Sequence, residues 1–432
     1  MNDRGNAKGN SETMNGRCDV IVIGGGPGGS ATAKYLAEAG LEIVLIEKER
    51  HPRFHVGESL LPHTLPILEE LGVLEMVQEI GLLKPGAEFI SEDGERQTVF
   101  DFARALIPGP DHAYQVPRAK FDEILFHCAR DSGVRVFEEM TATIVSCDDD
   151  AAVVTGRAHD GTEHRFEADF LIDASGRSTV SAKMQGERRP DRHTSSAAVF
   201  GHFTGVPRIA GPDGGNIRIH FTSPGWMWQI PLPDGVTSIG LVVPGEDLAA
   251  RDGSIEEFYH TRMARNPVMA QSLENARPVG SLSTTGNFSY RATRSYAPGL
   301  IRVGDAYGFI DPIFSSGIHL ALEGGHDAAK AVLDIRKNPQ KREKILKSYG
   351  HRIRRRIGYI SWFIYSIHDP AFREMLLNPK NFFGVERAVI SLLAGDFRPD
   401  IRLRARVVLF KILRKVVEIN NVEKTKESAY AR

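Results

Sequence analysis

Cysteine is scarce in this sequence. Three occur in 432 residues, Cys18, Cys128 and Cys147, far apart and odd in number. That pattern argues against a disulfide framework and against a cysteine metal centre, and it fits a reducing cytoplasm, the expected location. Long apolar runs are missing too. The best candidates, around Ile357–Ile367 and Val407–Val417, fall short of the roughly 18 apolar residues a membrane span needs or are broken by charge, so no transmembrane segment is expected. Residues 1–17 are polar and rich in Gly and Asn. Without an apolar core or a small-residue cleavage site they read as a disordered tail rather than a signal peptide. Net charge is almost absent at −1, so no nucleic-acid partner is expected of the whole chain. His55, His63 and His319 lack metal-ligand spacing, so no metal is assigned and none of the three is given a catalytic role. No serine nucleophile elbow occurs either.

What is present describes a folded protein. Apolar residues make up 41% and charged residues 25%, which excludes a largely disordered chain. The length corresponds to two or three domains of about 150 residues each. Charge is uneven: residues 341–432 hold 21 Lys/Arg against 9 Asp/Glu, the rest 33 against 46. Such an asymmetry points to a surface that attracts an acidic partner.

The first chemistry-bearing motif opens the chain. Asp19–Ile23 is an apolar run that reads as a buried parallel strand. Gly24, Gly26 and Gly29 form G-x-G-x-x-G, Ser30–Ala39 is helix-forming, and Leu41–Glu47 reads as a second strand. Glycines here permit a tight turn, close backbone approach to a pyrophosphate, and close helix–strand packing. Glu47 ends the second strand, where a carboxylate accepts hydrogen bonds from ribose hydroxyls. The unit predicts dinucleotide binding. NAD and FAD both fit it. Gly299–Gly308 reads as a late strand ending in Gly304-Asp305, and Asp169–Arg177 as another strand-to-turn of the same sheet. A simple NAD dehydrogenase does not need these returning pieces, so FAD is the better reading. There is no second G-x-G-x-x-G.

The expected fold is therefore α/β: an FAD-binding Rossmann-like fold of the two-dinucleotide-binding, glutathione-reductase type. A second β-sheet faces the substrate, and a helical C-terminal part follows. The FAD-binding module spans 18–347, interleaved with the substrate-side sheet at about 84–117 and 187–292. A helical, basic region covers 348–432.

Three further motifs narrow the function: His51-Pro-Arg-Phe-His-Val-Gly-Glu-Ser-Leu-Leu-Pro62, the W-x-W-x-I-P string Trp226–Pro231, and Phe309-Ile-Asp-Pro-Ile-Phe-Ser-Ser-Gly-Ile-His319. With the FAD fingerprint, this set resembles the flavin-dependent halogenases, in particular the branch acting on phenols and pyrroles. The resemblance runs from about Cys18 to Asp396. It implies reduced FAD supplied by a separate flavin reductase, and chloride or bromide oxidised to hypohalous acid beside the flavin. A tunnel then leads to a lysine, where an aromatic ring takes the halogen.

By the same resemblance, Lys84 is the catalytic lysine. Ser316 and Gly317 hold the halide through backbone N–H groups, and Ile318 lies against the flavin. Trp226 and Trp228 wall the flavin off from the ring, since alternate residues of a strand face one side. Glu58 and Ser59 line the path to the lysine. Arg53 and Arg118 lie near the FAD phosphates, and Asp305 near the ribityl chain. Where tryptophan halogenases carry a glutamate two positions before the first halide residue, this chain has Phe314, which matches the phenol/pyrrole branch. The runner-up is a flavin monooxygenase or reductase acting directly on its organic substrate. A third reading is a flavin-binding assembly partner without turnover.

The basic segment Arg402–Val417 reads as an amphipathic helix with Leu409, Ile412, Leu413 and Val416 on one face. A helix packed on the body comes first, a docking surface for an acidic acyl carrier protein second, and membrane-surface association third.

Overall fold

A computed structural model describes residues 15–191, 195–286 and 289–430. Of the expected tail, residues 1–14 lie outside the described residues, and Asn15, Gly16 and Arg17 are not tail. They open the first strand, Asn15–Ile23, and pair in parallel with Arg165, Phe166 and Glu167. The Arg17 guanidinium bonds Glu167 (3.2 Å) and Asp169 (3.1 Å), which fastens a segment too polar to read as strand from its own residues.

Five parallel strands carry the first sheet, in the order Leu300–Arg302, Glu163–Asp173, Asn15–Ile23, Ile43–Ile46, Arg135–Phe137. Val20 and Val22 face a core shared with the helices Pro27–Glu38, Arg118–Asp131 and Gly317–Lys337. Ile21 and Ile23 face the other way, onto the antiparallel strands Met140–Cys147 and Ala152–Ala158. Burial on both faces is why these strands read as unbroken apolar runs. The first strand has one parallel neighbour on each side, so the crevice at its carboxyl end is a topological switch point, where ligands of such sheets bind.

A second sheet of seven strands has the order Arg277–Gly286, Ser196–Thr204, Thr237–Pro244, Trp226–Pro231, Ile217–Phe221, Gly86–Ile90, Gln97–Asp101. It is antiparallel except where Ile217–Phe221 meets Gly86–Ile90. Alternation divides its residues. Phe200, Trp226, Trp228 and Ile230 face the core filled by the C-terminal helices. Val199, Met227, Ile239 and Leu241 face the helices Ile255–Met263 and Pro267–Leu273.

The C-terminal helices Arg342–Ser366, Pro370–Leu377, Val385–Leu393 and Ile401–Tyr430 supply Ile360, Phe363, Phe372, Leu392 and Phe410 to that core. The last helix packs on the body but buries only part of the face read from its sequence: Leu409 and Leu413 pack against that core. Leu403, Val407 and Phe410 point inward, while Ile412 and Val416 are 55% and 48% exposed. Phe410 turns the helix: its ring stacks on Phe363 at 5.5 Å and meets Phe372 edge-on at 5.6 Å, contacts an aliphatic stripe cannot match. Among the described residues, no helix is long and apolar enough to cross a membrane.

Candidate functional site

A cavity of about 470 Å³ opens at the switch point and runs between the two sheets. Its first wall is the glycine loop. Gly24 has φ +103°, and a β-carbon there would lie 2.3 Å from the Ala174 carbonyl oxygen, so only glycine fits. Gly26 caps the helix Pro27–Glu38 without any side-chain bond. The unpaired N–H groups of that helix's first turn therefore meet the cavity at the positive end of the helix dipole. Gly29 packs against Gly24, where a β-carbon would come within 1.9 Å of its oxygen.

Glu47 is buried at the cavity wall and accepts from Gly25 N (2.6 Å) and Glu49 N (2.9 Å). Arg53 and Arg118 share the buried Asp122: Arg53 Nη1 lies 3.2 Å and Arg118 Nε 2.9 Å from its oxygens. Burial opposes the Asp122 charge, but the Arg118 and Arg53 guanidiniums outweigh it and hold the carboxyl below its usual range. Arg118 and then burial push the neighbouring His55 down to about 4. Asp305 lines the cavity at the end of the late strand, and desolvation pushes its carboxyl up to about 6. An anion-favouring helix end, a buried acid after the second strand and a large cavity fit a dinucleotide with a flat ring.

Beyond the glycine loop the wall becomes aromatic. Trp226 and Trp228 both line the cavity, with ring centroids 5.8 Å apart. The Trp228 indole donates to Ser238 Oγ (3.1 Å) and that of Trp226 to the buried Asp311 (3.5 Å). Burial raises the Asp311 carboxyl to about 6. Trp228 fits because its cross-strand partner is Gly240, where a β-carbon would lie 2.2 Å from the indole ring. Gly317 and Ile318, at the start of the helix Gly317–Lys337, also line the cavity. A β-carbon built on Gly317 would point into open space. Ser316 borders a smaller cavity of about 50 Å³, shared with Gly317, Asp305 and Arg356.

The cavity wall also includes Glu58 and Ser59, and behind Ser59 stands Lys84. Lys84 ends the short strand Leu82–Lys84 and is only 1% exposed. Its Nζ donates to Ser59 Oγ (2.9 Å) and to the Leu60 carbonyl (2.8 Å), and sits 5.3 Å from the Phe102 ring centroid. Burial without a countercharge brings the amine down to about 7. Among the described residues the third hydrogen of an ammonium has no hydrogen-bond partner, and in the neutral amine that direction holds the lone pair.

Sequence motifs missed several neighbours. His202 Nε2 lies 2.9 Å from the Glu58 carboxylate, Phe54 stacks on Phe200 at the cavity, and Arg177 lies over the Phe309 ring. Phe54 lies in the His51–Pro62 motif and Arg177 in the strand-to-turn Asp169–Arg177, but neither is given a role there, and His202 and Phe200 lie in none of the motifs. His63 lies 3.8 Å from Asp396, and the buried His319, pushed down to about 3 by desolvation, stands 3.4 Å from the Thr64 hydroxyl.

A family model described as an FAD binding domain matches residues 17–359. A flavin-dependent halogenase of Armillaria mellea is 35% identical over 73% of this chain and 67% of its own, so the chain spans about two thirds of that relative's length. The 1H-pyrrole-2-carbonyl-(peptidyl-carrier protein) chlorinase of Pseudomonas fluorescens is 30% identical over 89% of this chain and 90% of its own. Among solved structures, the myxobacterial chondrochloren halogenase superposes with a TM-score of 0.77 at 32% identity, covering 89% of this chain and 91% of that one. A flavoprotein/dehydrogenase of Cytophaga hutchinsonii gives a TM-score of 0.85 at 28% identity, covering 94% and 100%.

Proposed function

The chain belongs to the flavin-dependent halogenases, an FAD-binding enzyme family, and on that premise we propose that it delivers a halogen oxidant to Lys84 for transfer to an electron-rich ring. The observation that carries the proposal is the Lys84 amine: buried, without a carboxylate partner among the described residues, and held by two hydrogen bonds behind the wall of the flavin cavity. A lysine is seldom buried in this way unless its chemistry requires it.

Bound reduced FAD, with oxygen, supplies the two-electron oxidation of halide to hypohalous acid. The residues around it hold, separate and pass on. The glycine loop and Glu47 seat the dinucleotide, and Arg118 fixes the loop Val56–Gly57 through bonds to its carbonyls at 2.7 and 3.2 Å. The N–H groups of Ser316 and Gly317 hold the halide ahead of a helix, where anions are favoured. Trp226 and Trp228 keep an organic ring away from the flavin, so the oxidant and not the flavin meets the substrate. Ser59 stands between cavity and amine and receives the oxidant first. The neutral amine either hydrogen-bonds hypohalous acid or displaces its oxygen, giving an N-halo amine and water. The ring then takes the halogen and releases a proton, and the amine regains its own.

A separate flavin reductase supplies the reduced flavin, consistent with the single dinucleotide fingerprint. The substrate is a phenol or pyrrole. The Pseudomonas relative's name places its pyrrole on a carrier protein, and a carrier-tethered ring is proposed here too. The dehydrogenase named in one structural neighbour keeps a second reading in view, a flavoenzyme oxidising its organic substrate directly. Purified protein supplied with FAD, NADH, a flavin reductase and an electron-rich phenol separates the two. A product with a bromine isotope doublet that requires bromide supports halogenation, and a hydroxylated or dehydrogenated product formed without halide overturns it.

A further inference from the structure

The turn Phe382–Gly384 joins the helices Pro370–Leu377 and Val385–Leu393 and holds two phenylalanines in water, Phe382 at 56% and Phe383 at 82% exposure. Phe383 has φ +52°, a left-handed conformation that a bulky residue adopts at a cost. Strained backbone that presents an aromatic ring to solvent does nothing for the core. Arginines surround it. Arg406 donates to the Phe383 carbonyl (3.2 Å), and Arg387 donates to the carbonyls of Arg104 and Ala105 (3.2 Å each). Among the described residues no carboxylate pairs with Arg387 or Arg406, whereas Arg104 is paired with Glu386 (3.0 Å).

The position of this patch matters as much as its charge. Arg104 closes the turn Phe102–Arg104, and it is the Phe102 ring that lies against the Lys84 amine. The patch is therefore the outer surface of the layer covering the lysine end of the cavity. It also belongs to the part of the chain with 21 Lys/Arg against 9 Asp/Glu.

We propose that this aromatic, cationic surface around Phe383 and Arg387 docks an acidic carrier protein, which presents its ring on a flexible arm to Lys84. The proposal rests on the reading of the enzyme as a halogenase of a tethered ring. A net-acidic protein answers the unneutralised arginines, and an exposed aromatic is the kind of anchor that fills a partner's pocket. A membrane is a poorer match, because two phenylalanines on a turn offer too little apolar face, and lipid would bring no ring to the amine.

The test uses the full chain and, as probe, a fluorescently labelled acidic carrier protein charged with a pyrrole-2-carbonyl thioester, beside a simple small-molecule thioester of the same ring. Phe383→Asp is the informative variant, since aspartate tolerates the left-handed backbone better than phenylalanine. It should weaken carrier binding at least about tenfold and lower kcat/KM for the tethered ring alike, leaving the small thioester within about twofold. Salt should weaken wild-type carrier binding. Val416→Asp, an equal charge change away from the turn, on the last helix, should alter neither. Unchanged carrier affinity in Phe383→Asp overturns the proposal. So does wild-type binding to phosphatidylserine vesicles but not to the carrier, or a dimer that Phe383→Asp converts to monomer. Failure of the wild type to halogenate either thioester would instead sink the halogenase reading, while the affinities still decide the docking site.

Discussion

At the flavin end of the cavity the arginines and Glu47 are held by fixed partners, and Asp305 is the desolvated exception. Arg53 and Arg118 share Asp122, and Glu47 accepts from two backbone N–H groups. At the lysine end Lys84 has a hydroxyl, a carbonyl and an aromatic ring for company, and burial brings its amine down to about 7. Paired, fixed charges suit a polyanionic cofactor that must stay in place. A desolvated amine suits a group that must be neutral to accept an electrophile. On the proposed mechanism, the contrast separates a cavity where an oxidant would be made from an amine behind its wall where it would be spent.

Three changes would break or sharpen that contrast. The largest effect is expected of Gly24→Val. With φ +103° and the Ala174 oxygen 2.3 Å from any β-carbon, the glycine loop must deform. Flavin affinity should fall on the order of 100-fold, by flavin fluorescence titration, with the second sheet intact by circular dichroism. Gly240→Val comes next. It drives Trp228 out of its slot between the two ends. A stability loss of about 2 kcal/mol in urea denaturation is expected, together with more flavin oxidised per ring halogenated. An unchanged ratio would deny the tryptophans their separating role.

The smallest effect concerns pH. With an amine near 7, halogenation should rise about tenfold between pH 6 and 8, while flavin binding stays level. Stability should follow the same group. The folded pKa lies below the unfolded value of 10.5, so the cost of the buried cation is complete below about pH 7 and disappears as pH climbs towards 10.5. The wild type should therefore gain on Lys84→Met in thermal unfolding across that window. A flat difference would mean that Lys84 is not buried as a free amine.

The same contrast governs what could be read in the sequence. The flavin end is local: strand, glycine loop, helix and Glu47 lie within Asp19–Glu47, so spacing alone carries the chemistry. The structure extends the strand back to Asn15 because pairing partners, not residue type, set its start. The lysine end is assembled from Ser59, Lys84, Phe102 and the strand Trp226–Pro231, which no short window contains. Composition reads Lys84 as a surface residue, and only the set of motifs singled it out. Trp226 and Trp228 were legible as a pair from their alternation, but Gly240, which makes room for one of them, was not. The buried face of the last helix was read only in part, through Leu409 and Leu413, because aromatic contacts made elsewhere centre it on Phe410.

The central claim is that oxidant made at the flavin is used at Lys84. The most direct test is to measure, in one reaction with bromide, the NADH-fed flavin oxidised and the ring brominated by wild type and by Lys84→Met. The account predicts that the variant binds FAD and oxidises reduced flavin at the wild-type rate while bromination falls at least about 1,000-fold. Bromination by Lys84→Met at the wild-type rate would contradict it.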